Sequence, residues 1–109
     1  MTISEKTKRT AHALETYIEN NLGSPLSISL LAKEFGISDF TLKKIFRTAF
    51  NKPVHHFIME KRMQKARQLL LETDFPIKQI AAVVGFKRTT AFFKAFHKQF
   101  NISPGALRK

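Results

Sequence analysis

A chain of 109 residues, 43% of them hydrophobic, is long enough to bury a core, holds one small domain or two very small ones, and is not composed like a disordered segment. It has no cysteine, which excludes a disulfide framework and a thiolate metal site, and no apolar run approaches the ~18 residues that a membrane helix needs. Nineteen Lys and Arg against eight Asp and Glu leave a net charge of +11, and such an excess points to a polyanionic partner, because basic groups that neutralise phosphates release counterions.

In chain order, Thr2-x-x-Glu5 has the form of a capping box, and Ala11, Leu14, Ile18 and Leu22 keep a helical period up to Asn20-Asn21-Leu22-Gly23. Ser24-Pro25 turn the chain, and Ser27 is suited to cap a short second helix, Ile28 to Phe35, stopped by Gly36. Ser38 caps a third helix to about Phe50, where Asn51 can take the left-handed closing conformation. About three residues separate these two helices, the connection of a helix-turn-helix, and Ala32 is small enough to let them cross closely.

Pro53 to Glu72 reads as one long helix. Pro53 has the fixed φ and missing donor of a first helical position, and Val54, Phe57, Ile58, Ala66, Leu69 and Leu70 supply its apolar stripe. Arg62 falls on or near the buried side, as a structural charge with a backbone or acidic partner. After the break Thr73-Asp74-Phe75-Pro76, Pro76 opens a short helix to Val84 and Gly85 turns the chain. Arg88 to Phe100 form a matching long helix closed by Asn101, and Ser103-Pro104 start a last turn. No alternating run of Val, Ile and Thr marks a strand.

The two ends repeat one another. Ile28-x-x-Leu31-Ala32-x-x-x-Gly36-Ile37 returns 49 positions later as Ile77-x-x-Ile80-Ala81-x-x-Val84-Gly85-Phe86. Past the glycines the shift becomes 50, so that Leu42, Ile45, Phe46, Phe50 and Asn51 answer to Phe92, Ala95, Phe96, Phe100 and Asn101. The expected fold is therefore all-α, about seven helices in two helix-turn-helix subdomains, 1–52 and 74–109, joined by a connecting helix at 53–73. At ~1.5 Å per residue, roughly 19 helical residues of the connector span about 28 Å, comparable with the ~34 Å of one turn of DNA.

Gly85-Phe86-x5-Phe92-x3-Phe96-x3-Phe100-Asn101-Ile102-Ser103-Pro104, preceded by Ile77-x-x-Ile80-Ala81, resembles the DNA-binding region of the AraC/XylS transcription regulators. Leu31-Ala32-x3-Gly36-Ile37-Ser38-x3-Leu42-x-Lys44-x-Phe46 and Arg62-x3-Ala66-x2-Leu69-Leu70 extend the resemblance over about residues 5 to 108. Asn51 and Asn101 stand where that family usually has Gly, and Leu107 where it often has Tyr. The resemblance implies two recognition helices in successive major grooves of double-stranded DNA, in a cytoplasmic bacterial activator that recruits RNA polymerase. It also implies a sensor domain or dimer partner outside this chain, or a stand-alone protein.

The helical faces and the resemblance select the same candidate base contacts. With Leu42, Ile45, Phe46, Ala49 and Phe50 inward, Phe40, Lys43, Lys44 and Arg47 turn outward; Lys can donate to guanine and Phe can pack on a thymine methyl. With Phe92, Ala95, Phe96 and Phe100 inward, Thr89, Thr90, Phe93, Lys94 and His97 turn outward, with Lys94 where the family usually has Arg. Phe40, Lys43, Lys44, Thr89, Thr90, Phe93 and Lys94 are the expected base contacts; Arg47, Lys78, Lys87, Arg88 and His97 are the expected phosphate contacts. For Phe40 and Phe93 the structural alternative is packing against the core or the connecting helix.

Nothing in the chain reads as an enzyme. The four histidines include no i,i+4 pair, and the acids are scattered without a phosphate loop or nucleophile motif, so no metal and no cofactor are expected. Two other readings fit the charge and the exposed phenylalanines. One is a sequence-tolerant nucleic-acid binder; the other is a helical module that binds protein or an acidic membrane.

Overall fold

In the computed structural model, which describes residues 3–109, seven helices follow one another and no strand occurs among the described residues. They are α1 (Glu5–Glu19), α2 (Ile28–Phe35), α3 (Asp39–Phe50), α4 (Val54–Glu72), α5 (Ile77–Val83), α6 (Thr89–Phe100) and α7 (Pro104–Arg108). The expected capping box begins at Thr2, outside the described residues. The observed cap of α1 is Ser4, whose side chain accepts the Thr7 N–H at 3.1 Å.

The repeat survives in the backbone. α2 and α5 start 49 positions apart, and α3 and α6 start and end 50 apart. Gly36 and Gly85, at φ 64° and 95°, turn the chain, and the 6→1 bonds that close each turn match: Ile37 N–H to Ala32 O at 3.0 Å, and Phe86 N–H to Ala81 O at 2.9 Å. Asn51 and Asn101 end α3 and α6 at φ 55° and 57°, each donating to the carbonyl four residues earlier. Asn is the residue besides Gly that reaches this conformation at low cost, so the departures from the family pattern leave the turns intact. The prolines depart from expectation by one residue. Pro53 and Pro76 precede α4 and α5, and their carbonyls accept the Phe57 and Ile80 N–H groups, whereas only Pro104 is a first helical residue.

The chain forms two compact units, and α4 contributes to both. One takes Pro25–Met59 with the chain before Leu22; the other takes Glu60–Lys109 with Leu22–Ser24. In the first unit Ala11, Leu14 and Ile18 of α1 are buried along with Leu31, Ala32, Leu42, Ile45 and Phe46. Phe46, Phe50 and Phe57 form a ring cluster there with centroids 4.4–5.3 Å apart. In the second, Met63, Ala66 and Leu70 of α4 repeat the 3-then-4 spacing of the buried positions of α1, and Ile80, Ala81, Val84, Phe92 and Phe96 complete the core. Each fully buried Leu or Phe contributes about 1.5–3 kcal/mol. The expected stripe of α4 omitted Met63, which is wholly buried. Met63 follows Ile58 by five positions, which breaks the three- and four-residue rhythm, so one continuous stripe does not run the length of the helix.

Two arginines hold the second unit through backbone carbonyls. Arg62 donates from Nη2 to Ser24 O at 3.1 Å, its Nε is buried without a hydrogen-bond partner, and burial lowers its pKa from the usual guanidinium value. Arg108 donates to the carbonyls of Leu70, Thr73 and Phe75 at 3.2, 3.1 and 2.6 Å, satisfying groups that α4 and its exit loop leave open. Gly85 sits against this scaffold so closely that a Cβ would lie 2.4 Å from Leu22 O and 3.0 Å from the Arg62 guanidinium. A Cβ at Gly36 would meet nothing within 4 Å.

Gly85→Ala is therefore expected to cost roughly 3 kcal/mol or more, the left-handed penalty plus a backbone clash, and Gly36→Ala only about 1–2 kcal/mol, both read from denaturant midpoints. The helix caps differ as well. Ser38 caps α3 by accepting the Thr41 N–H at 3.0 Å, whereas Arg88, in the same place before α6, makes no side-chain cap. Ser38→Ala should lose about 1 kcal/mol and Arg88→Ser should gain up to about 1 kcal/mol, since the backbone at Arg88 is already extended.

Candidate nucleic-acid interface

The rotation of α3 about its own axis is fixed by Leu42, Ile45 and Phe46, which are buried against α1 and α2. Residues displaced by about half a turn must then face solvent. Phe40 is 75% exposed, and Lys43, Lys44 and Arg47 are exposed beside it. The alternative of a core contact for Phe40 is overturned by that exposure, and no ring contact holds it. Ala49 and Phe50, expected inward, are only half-buried, as they lie at the C-terminal end of α3.

In α6, Phe92 and Phe96 are buried, and Ala95 and Phe100 are half-buried, with Arg67 placed over the Phe100 ring at 6.0 Å. Phe93 is 42% exposed; its ring touches Phe92 at 6.2 Å between centroids, so its inner edge packs on the core while the rest stays on the surface. Lys94, His97 and Thr90 are exposed, and Thr89, the first residue of the helix, is half-buried. Phe93, Lys94 and His97 share with Ile77, Lys98, Ser103 and Gly105 an open groove of about 640 Å³. An apolar floor under cationic and imidazole donors can take a base edge or a deoxyribose together with its phosphate.

The expected phosphate contacts are all at the surface. Lys87 and Arg88 stand in the turn before α6, and Lys78 is the second residue of α5. The two helix starts that carry them have no acid in their first turns and no side-chain cap, so positive charge and unsatisfied amides coincide. Each site residue lies in its own unit: Phe40, Lys43, Lys44 and Arg47 in the first, the others in the second.

Among the described residues no polar or charged residue is buried as a whole, Arg62 burying only part of its side chain, and no cluster of three His, Asp or Glu is placed to hold a metal. No helix among them is long and apolar enough to cross a membrane. The sequence reading did not single out the roles of Arg108 or of the first two turns of α1, whose Lys6, Thr7 and Thr10 line a second groove with Phe40 and Lys44. Arg108 left no local signal, because its three partners are main-chain carbonyls 33 to 38 positions away.

Comparison with known proteins agrees with this architecture. A family model described as a helix-turn-helix domain matches residues 31–109. The Msm operon regulatory protein of Streptococcus mutans is 33% identical over 106 residues, which are 97% of this chain and 38% of that protein. The regulatory protein SoxS of Escherichia coli K12 is 30% identical over 95 residues, 87% of this chain and 89% of SoxS. This chain thus spans well under half of the Msm regulator and most of SoxS. A solved transcriptional regulator of Chromobacterium violaceum, described as containing an AraC-type DNA-binding domain, superposes with a TM-score of 0.85 at 28% identity, covering 96% of this chain and 94% of that one. With two matched helix-turn-helix units and these likenesses, the chain belongs to the AraC-type helix-turn-helix family, the DNA-binding domains of transcription regulators.

Proposed function

We propose that this chain recognises a specific site in double-stranded DNA by placing α3 and α6 in the major groove. Phe40, Lys43 and Lys44 read bases from α3; Thr89, Thr90, Phe93 and Lys94 read them from α6. Arg47, Lys78, Lys87, Arg88 and His97 hold phosphates. The observation that carries the reading is the exposed face of α3, where a phenylalanine 75% open to solvent stands among three cations on a helix that the core holds in one rotation. In water that ring gains nothing, whereas in the major groove it covers a thymine methyl while the lysines donate to guanine O6 and N7.

Residues 1–52 and 74–109 act as two reading heads on one bipartite site, with 53–73 as their connector. The chain works in the bacterial cytoplasm, and the activating role common in the family makes RNA polymerase its protein partner. No catalytic step is assigned to it.

The test compares a specific duplex with a random one. If Lys43 or Lys94 reads a base, its change to Ala should cost ~1–3 kcal/mol on the specific duplex and relax preference at one position. Arg88→Ser should weaken both duplexes equally and lower the salt slope by about one, as expected for a phosphate contact. Equal losses on random DNA for every variant would instead support a sequence-tolerant binder, and no binding of any duplex would support a protein-interaction module.

A further inference from the structure

A groove of about 490 Å³ lies between the first turn of α1 and the outer flank of α3, within the first unit. Its floor is aliphatic, from Ile3, Ile37 and Ile45, and its walls carry Lys6, Lys44 and the hydroxyls of Thr7, Thr10, Thr41 and Thr48. No acid lines it, and Glu5, the one carboxylate in the first turn of α1, is held by Lys8 at 3.6 Å. The groove shares Phe40 and Lys44 with the proposed reading face, so a duplex against that face has a strand at its edge.

The hydroxyls on the two walls are arranged alike. Ser4 Oγ accepts the Thr7 N–H and donates to Thr7 Oγ1 at 2.9 Å; Ser38 Oγ accepts the Thr41 N–H and donates to Thr41 Oγ1 at 2.9 Å. Each threonine oxygen thus receives a proton from its cap serine, which leaves its own hydroxyl hydrogen free to donate outward. Two free hydroxyl donors and the Lys6 ammonium over an apolar floor match the sugar-phosphate backbone, with phosphate oxygens at the donors and deoxyribose carbons on the isoleucines.

Resting on the DNA-binding reading above, we propose that this groove seats the backbone of one DNA strand beside the major groove entered by α3, with Lys6, Thr7 and Thr41 as phosphate contacts. The site is particular to the first copy of the repeat. Ala91 stands where the second copy would need Thr41, and at the spacing that aligns the buried residues of α1 with those of α4, Ile58 and Met59 stand for Lys6 and Thr7. These contacts of the first head therefore have no counterpart in the second.

The test uses the 109-residue chain, with helicity of each variant checked by circular dichroism. Lys6→Ala should weaken specific and random duplexes alike, by about threefold to tenfold, and reduce the slope of log affinity against log salt by about one. Thr7→Val with Thr41→Val should weaken both by roughly fivefold without changing the slope, because neutral donors release no counterion. Hydroxyl-radical protection should shrink at the flank of the half-site bound by α3 and stay unchanged at the other half-site. If both variants bind and protect like the parent while Lys43→Ala still loses specific binding, the groove assignment is overturned and the DNA reading stands. If the parent chain binds no duplex, both are overturned.

Discussion

What α3 and α6 present to solvent depends on the locking of each helix against rotation. Leu42, Ile45 and Phe46 in α3, and Phe92 and Phe96 in α6, are buried so fully that turning either helix by a third of a revolution would expose several large apolar side chains. At about 1.5–3 kcal/mol for each, that exceeds what any surface contact returns. The outward residues are therefore set by the inward ones. A phenylalanine and three cations on one helix, and a phenylalanine, a threonine, a lysine and a histidine on the other, face solvent because the core leaves them no other place.

The two copies solve the same packing problem with different surface chemistry. The first caps its helices conventionally, with Ser27 and Ser38 accepting backbone N–H groups and Asp39 complementing the dipole of α3. The second puts Pro76 and Arg88 in those places and carries no acid from Phe75 to its end. Cap hydrogen bonds are forgone there, and positive charge gathers at helix starts that already repel cations. Arg62 and Arg108 offset this by tying loops to main-chain carbonyls. A unit that gives up local stability for charge in this way is built for a polyanion rather than for water.

Much of this was legible in the residues. Asn51 and Asn101 read as left-handed closures because few other residues accept that backbone, and the glycines of the two turns stood out because the repeat placed them in register. The outward stripe of α3 followed from the inward one, since helical period fixes both. What stayed hidden was non-local. Met63 was missed because α4 serves one core and then another, and a stripe drawn along the whole helix has no place for it. Leu22–Ser24 belongs with residues nearly 40 or more positions later, held there by Arg62 and by the missing side chain of Gly85, and no sequence period announces such a contact. Pro53 and Pro76 were displaced by one position, since a proline serves equally as the residue before a helix and as its first.

Selection of duplexes bound by the 109-residue chain from a random library addresses the whole arrangement at once. Two fixed reading faces predict enrichment of a bipartite motif, its half-sites about one helical turn apart. Recovery of one short motif, or of no motif at affinities that depend on salt alone, would contradict it.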